Sequence, residues 1–462
     1  MKLPRSLSAF LACLFLLGPV AALRAADAPA KFDGYTFVKT VGAVSEYTLE
    51  SNGLTVLLLP EHSAPVITFQ VTYRVGSRNE VTGTTGATHL LEHLMFKGSV
   101  NYNKEKQNGF DQALDPIGAS NNATTYLDRT NYYEIFGTEH LPMIVAMEAD
   151  RMRGLLLRES DRQPEMTVVR NEFERGENSP FQALIKEIFA AAYVAHPYHH
   201  NTIGWRSDIE KVSIEKLREF YDTFYWPDNA TVTVVGDFQP TATLALIQKS
   251  YGAITRAPKP IPQVYTEEPE QSGPRRVVVK RAGQLGVVGL AHKIPAATHA
   301  DFPAIALFSA ILADGKNSRL YKTITDQSLS TGVQNAPFAM HDPSLHFLFI
   351  PLAPGATHDA VEKIALEQIE KIKTGGVTAA EIQAAVAKSL ADSAFQRDGT
   401  SAIAAAINET IAAGDWTLYY NYDEAMKKVT PAEVQRVAQK YFNVDQSTTG
   451  WFIPLVPGAA KK

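Results

Sequence analysis

In the stretch GATHLLEHLMFKGS, residues 86–99, two histidines and a glutamate stand within five positions of otherwise apolar sequence. On an α-helix His89 and His93 project from one face, the spacing by which two imidazoles grip one zinc ion. Glu92 borders that face without duplicating a ligand position, so it is placed to take a proton from water that the metal activates. Leu90, Leu91, Leu94, Met95 and Phe96 wrap most of the helix circumference. The polar trio therefore cannot simply face bulk water, and buried imidazoles need a partner.

A catalytic zinc takes three protein ligands and keeps one position open. The stretch DRQPEMTVVRNEFERGENSP, residues 161–180, supplies the third. Its pattern predicts a helix capped by Asp161, with Pro164 in the first turn, running toward Gly176. Glu165 and Glu172 lie two turns apart on one face, with Val168 and Val169 between them, so both carboxylates are expected to point inward. A buried carboxylate needs a cation or a strong donor. Glu172 is assigned as the third ligand and Glu165 as the partner that orients a histidine.

These groups must be held by larger elements, and the chain contains one such unit twice. KVSIEKLREFYDTFYWPDNATVTVVGDF from Lys211 and KVTPAEVQRVAQKYFNVDQSTTGWFIPL from Lys428 align without a gap at an offset of 217. Each reads as a Ser or Thr cap, an amphipathic helix, an aromatic pair, an Asp turn and an apolar strand. Two strands precede the helix of His89, and two more precede DFPAIALFSAILADG in the second half. The expected fold is α+β: two homologous domains, each a mixed, mainly antiparallel sheet with helices on one face, forming a clamshell. Residues 32–254 and 276–458 are the expected domains. The Pro- and charge-rich stretch 255–275 is the linker. Only the first domain contains HLLEH, so any chemistry is asymmetric.

Composition narrows the function. A net charge of −5 over 462 residues and the lack of a basic tract speak against nucleic acid or an anionic membrane as partner. Residues 1–26, with Lys2 and Arg5 ahead of an apolar run and small residues, read as a secretory signal peptide. No later stretch is long and apolar enough to span a bilayer. The sole cysteine, Cys13, lies in that segment, so the mature chain tolerates an oxidising compartment. The expected location is the periplasm.

The H-x-x-E-H motif with a Glu-x6-Glu pair some seventy residues beyond resembles the pitrilysin family of zinc metallopeptidases, to which insulin-degrading enzyme and the mitochondrial processing peptidase belong. The resemblance spans essentially the whole mature chain. It implies peptide-bond hydrolysis with one zinc per chain, held by His89, His93 and Glu172, and Glu92 as general base. GASNNATTYLDRTNYYE is similar to the family's substrate-pairing edge strand, which makes Asn122, Ala123 and Thr124 candidates for binding an extended peptide. His196, His199 and His200 lack regular spacing and read as packing or wall residues.

One family feature is missing. Active members usually carry, in the second half, an arginine and a tyrosine that steady the substrate carbonyl. Here Ser318, Arg319, Leu320 and Tyr321 match the pattern, but Thr325 and Thr331 stand at the Arg and Tyr positions, and threonine brings no guanidinium charge to an oxyanion. Arg319 and Tyr321 are weak substitutes. The expectation is a periplasmic zinc endopeptidase, the zinc-bearing subunit of a heteromer whose homologous partner supplies Arg and Tyr, or else a homodimer. The alternative is a non-catalytic peptide-binding or structural subunit of the same fold.

Overall fold

A computed structural model describes residues 32–455. The signal-peptide reading of residues 1–26 and the last residues of the expected second domain lie outside them.

The first half supplies strands β1 (Tyr35–Val41), β2 (Val44–Leu49), β3 (Thr55–Pro60), β4 (Val66–Tyr73), β5 (Ser120–Thr125), β6 (Thr130–Gly137) and β7 (Ala230–Gly236). Its helices are α1 (Ala87–Leu94), α2 (Phe110–Leu114), α3 (Leu141–Gly154), α4 (Glu159–Glu177), α5 (Pro180–Ala192), α6 (Arg206–Lys211), α7 (Ile214–Phe224) and α8 (Pro240–Tyr251). The second half supplies β8 (Arg275–Ala282), β9 (Val287–Ile294), β10 (Gln334–Pro337), β11 (Ser344–Pro351) and β12 (Ser447–Leu455). Its helices are α9 (Phe302–Ala313), α10 (His358–Gly375), α11 (Ala379–Phe395), α12 (Thr400–Ala412), α13 (Leu418–Met426) and α14 (Pro431–Tyr441).

The first sheet has the order β1-β2-β3-β7-β4-β6-β5 and the second β10-β11-β9-β12-β8. Each contains one parallel pair, β3 with β7 and β8 with β12; the others are antiparallel. Strands β3-β7-β4-β6-β5 thus repeat as β8-β12-β9-β11-β10. The repeat extends to detail: α7 and α14 each have 11 residues, and Ser213 and Thr430 accept the amides of Lys216 and Glu433 as N-caps.

On one face of each sheet lie helices of its own half. Val56, Leu58, Phe69, Val71, Val232 and Val234 pack there against α1, α3, α7 and α8. The opposite faces are covered by exchange. Leu57, Leu59 and Val235 meet Ala404, Ile407 and Ile411 of α12, and Thr68 and Thr72 hydrogen-bond to Thr400 and Asn408 at 2.8 and 2.7 Å. Reciprocally, Leu184, Ile188 and Phe189 of α5 pack on Ala291, Phe347 and Phe452 of the second sheet. Gly289 and Gly450 face each other across β9 and β12. A Cβ on either would meet Ile188 Cδ1 at 2.6 or 2.7 Å, so only glycine lets α5 sit so low. Burying three such side chains is worth roughly 5 kcal/mol or more. The resulting two-domain clamshell is pinned by its exchanged helices.

The stretch expected as the linker is also tied down. Glu268 accepts the amides of Val194, Ala195 and His196 at 2.9–3.1 Å and pairs with Lys293 at 3.0 Å. Burial opposes ionisation of Glu268, yet these donors bring its pKa down to about 2. In the second half His292 and His346 lie opposite each other on β9 and β11. Burial holds both neutral, with pKa values lowered to about 3; they belong to the core.

Candidate metal centre

Helix α1 starts at Gly86, whose φ of 83° and close approach to the Ile203 carbonyl (2.4 Å from an added Cβ) require glycine. Gly86 has no side chain to cap the helix, and a remote carboxylate serves instead. Glu80 accepts the amides of Gly86 and Thr88, each at 2.8 Å, and lies 3.1 Å from His200 Nε2. An anion at a helix N-terminus is favourable. This use of Glu80 has no local signature in the sequence.

The helix is gripped by Leu90, Leu91, Leu94 and Met95, all fully buried. That fixes the rotation that turns His89 and His93 toward α4 and Glu92 toward β5. Helix α4 begins at Glu159, two residues before the expected cap. Asp161 sits in the first turn, 2.6 Å from Arg158 Nε, because Arg158 extends the chain into the helix while donating to the Lys97 carbonyl. Pro164 is consequently inside the helix. Val169 is buried as expected but Val168 is 42% exposed, since the inward face is narrower than the pattern suggested.

Both inward carboxylates reach α1. Glu172 Oε2 lies 3.6 Å from His89 Nε2 and 3.8 Å from His93 Nε2, and one donor atom from each residue fits within a mutual 4.8 Å. Tetrahedral zinc with ligands at 2.0–2.2 Å separates neighbouring donors by about 3.3–3.5 Å, so this triad fits the ion with small adjustments. Among the described residues no other such group of His, Asp and Glu converges. His89 Nδ1 is buried without a hydrogen-bond partner, and burial, with His93 adding to it, lowers the His89 pKa to about 3. A neutral imidazole is the form that binds metal. Glu165 Oε2 lies 3.1 Å from His93 Nδ1, and its other oxygen pairs with Lys97.

Glu92 stands outside the triad. Its carboxylate accepts a hydrogen bond from Thr125 Oγ1 at the end of β5. Burial raises its pKa, against the pull of Thr125, His93 and Arg129. Arg129 in turn donates to the Thr124 carbonyl at 2.9 Å and to Glu409 of α12 at 2.5 Å. Neither Thr125 nor Arg129 stands out in the sequence; both lie in the edge-strand stretch, whose pairing partner cannot be read locally.

Strand β5 is one of the two edges of the first sheet, β1 being the other. Asn122, Ala123 and Thr124 pair inward with Tyr133, Tyr132 and Asn131. Tyr126 donates to the Arg129 carbonyl across the turn, so antiparallel alternation directs the backbone groups of Thr125 and Ala123 away from β6. The Ala123 amide meets only the side chain of Asn122, at 2.8 Å. A cavity of about 570 Å³ adjoins Glu172, walled by Phe173, Phe181, Ile185, Phe189 and Ile203.

The remaining candidates are engaged elsewhere. His196 and His200 are buried on Asp342 and Glu80 at 3.0 and 3.1 Å, and His199 Nδ1 lies 3.2 Å from the His196 carbonyl. Arg319 bonds Glu381 and the Gly376 carbonyl at 2.9 and 3.0 Å. Tyr321 opens a short π-helical turn, Thr325 shares a 3.0 Å contact with Ser330, and the Thr331 amide bonds the Pro351 carbonyl.

Comparison with known proteins places these features. Residues 55–205 match the family model described as Insulinase (Peptidase family M16), and residues 211–389 the one described as Peptidase M16 inactive domain. Every candidate ligand falls in the first segment. The zinc protease PqqE of Helicobacter pylori is 34% identical over 87% of this chain and 91% of that protein. The crystal structure of a protease from Helicobacter pylori superposes with a TM-score of 0.84 at 32% identity, covering 89% of this chain and 99% of that one. The periplasmic protease PqqL of Escherichia coli shares the fold, with a TM-score of 0.74 at 16% identity, over 92% of this chain and 50% of its own. No helix among the described residues is long and apolar enough to cross a membrane. By sequence, fold and the arrangement around α1, the chain belongs to peptidase family M16.

Proposed function

We propose that this chain is a zinc-dependent endopeptidase acting on peptides or unfolded segments in the periplasm. The reading is carried by the convergence of Glu172 on His89 and His93, with the Glu92 carboxylate beside them and outside the ligand set. The domain division at residues 255–275 and the single zinc per chain belong to the same reading.

His89, His93 and Glu172 would hold the ion, and Glu165 would fix the ring of His93 by its Nδ1. Zinc supplies Lewis-acid polarisation of the scissile carbonyl. Glu92 takes the proton of the attacking water as its oxygen bonds the carbonyl carbon, and returns it to the amine as the C–N bond breaks. Thr125 holds that carboxylate in place. The peptide would add to β5 as an extra strand, bonding the outward groups of Ala123 and Thr125, and the apolar cavity beside Glu172 would take one of its side chains.

Ala123→Pro tests the strand. It removes an amide that serves no ladder bond, at an edge where proline is tolerated, so the fold should survive. KM for an extended peptide should rise about 10-fold, the loss of one well-placed hydrogen bond, with kcat changed far less. An unchanged KM would move substrate binding away from β5.

With Thr325 and Thr331 in place of Arg and Tyr, oxyanion donors would come from a second, homologous chain. Hydrolysis of an unstructured fluorogenic peptide should be abolished by chelator and restored by zinc, and should be about 10²-fold or more faster with the co-expressed homologue, an oxyanion donor being worth about 10²–10³-fold in kcat. Equal rates with and without the homologue would refute the partner dependence. Bound zinc without turnover in either case would favour the peptide-binding subunit.

A further inference from the structure

The second half lacks the HxxEH motif, yet it touches the helix that carries the third ligand. Of the 19 residues of α4 only Glu165 and Val169 are buried, with Met166 and Phe173 packed partly against the core. Pro164 also removes one intrahelical hydrogen bond. So little apolar contact leaves the lengthwise position of α4 to polar contacts: Glu165 on His93 and Lys97 near its middle, and clamps at its ends. At the start, Arg158 and Arg162 donate to the carbonyls of Lys97 and Val212, each at 3.1 Å.

At the end, two cations converge on Glu177. Lys186 of α5 pairs with its carboxylate. Arg281 of β8 pairs with the same carboxylate at 2.6 Å and donates to the Glu177 main-chain carbonyl at 2.8 Å. That carbonyl has no partner within the helix, and a cation there complements the helix dipole. Arg281 is part of the second sheet, and Lys186 rides on the helix packed against it. Glu172 lies five residues before Glu177, about 7.5 Å along the helix axis. A helix is stiff over that length, and metal–ligand distances tolerate only about 0.2 Å.

We propose that Arg281, supplied by the second half, is a positioning residue for the third metal ligand, acting through Glu177 and α4 to hold Glu172 against His89 and His93. The proposal rests on the zinc reading of the site. The motif-free half thereby acquires a role in metal binding, because a displacement of the second sheet passes along α4 to the ligand.

Zinc affinity of the metal-stripped, full-length protein, measured by competition with a chromophoric chelator, tests this without reference to turnover. Arg281→Gln should weaken zinc binding about 10-fold, the low end for loss of a ligand-supporting contact, and Arg281→Lys should recover part of it. Arg276→Gln removes a neighbouring ion pair of β8, with Glu362 at 2.5 Å, and should leave the affinity unchanged. In a Glu172→Gln background Arg281→Gln should cost nothing further, since both changes act on one ligand. Should Arg281→Gln fail to fold, Lys186→Met strips the same carboxylate from the other side and should give the same loss. Wild-type affinity in Arg281→Gln, equal loss in Arg276→Gln, or an undiminished effect without Glu172 would each overturn the proposal. Failure of the unaltered protein to bind zinc would instead overturn the zinc reading itself.

Discussion

Glu92→Gln is expected to lower kcat/KM for peptide hydrolysis by about 10²–10⁴-fold, the range for a general base, while zinc content stays at one per chain. At 10³-fold this is about 4 kcal/mol of transition-state stabilisation. Glutamine keeps the volume of the side chain and an oxygen that accepts from Thr125, so packing and orientation persist and only the proton acceptor is lost. Thr125→Val separates orientation from basicity: it leaves the carboxylate but removes the donor that aims it, and should cost about 10-fold, one hydrogen bond to a charged group. More than a tenth of wild-type activity in Glu92→Gln would exclude Glu92 as the base. Loss of zinc in that variant would make it a ligand instead.

The parts of this arrangement that are legible in the sequence are those set by local periodicity. His89 and His93 share a face because a helix repeats every 3.6 residues, and Leu90, Leu91 and Leu94 announce that the helix is buried. Glu165 and Glu172 point one way for the same reason. The duplication is legible because Ser213 and Thr430 head identical patterns of cap, helix and strand. What the pattern does not carry is which distant groups meet. The amphipathic stripes of α5 and α12 say that each buries a face, but not that each buries it in the sheet of the other half. Glu80 caps α1 from a preceding loop, Thr125 bonds Glu92 from 33 residues away, and Arg281 ends α4 from another sheet; none of these pairs has a fixed spacing. Asp161 does not cap α4 because Arg158, not Asp161, makes the tertiary contacts that start the helix.

Glu172 and Glu165 allow the sharpest division of labour, because two carboxylates on one helix face are assigned different roles. Glu172→Gln should weaken zinc binding by about 10²–10³-fold: structural zinc sites are worth roughly 10–16 kcal/mol over four ligands, or about 3 kcal/mol for each. Hydrolysis at limiting zinc should fall in step. Glu165→Gln should weaken zinc binding by only about 10–100-fold, the usual effect of removing a partner of a ligating histidine, because His93 Nε2 remains available and only its ring loses its anchor. The metal-free proteins should differ in the opposite sense. Glu172 is about one-third exposed and its removal spares the fold, whereas Glu165 holds both His93 and Lys97 and its loss should lower the thermal midpoint of the zinc-free protein. Melting curves and chelator competition on the same two variants therefore give crossed orderings. If Glu165→Gln lost more zinc affinity than Glu172→Gln, the ligand would be Glu165 and α4 would have to sit two turns further along against α1 than the clamps at its two ends allow.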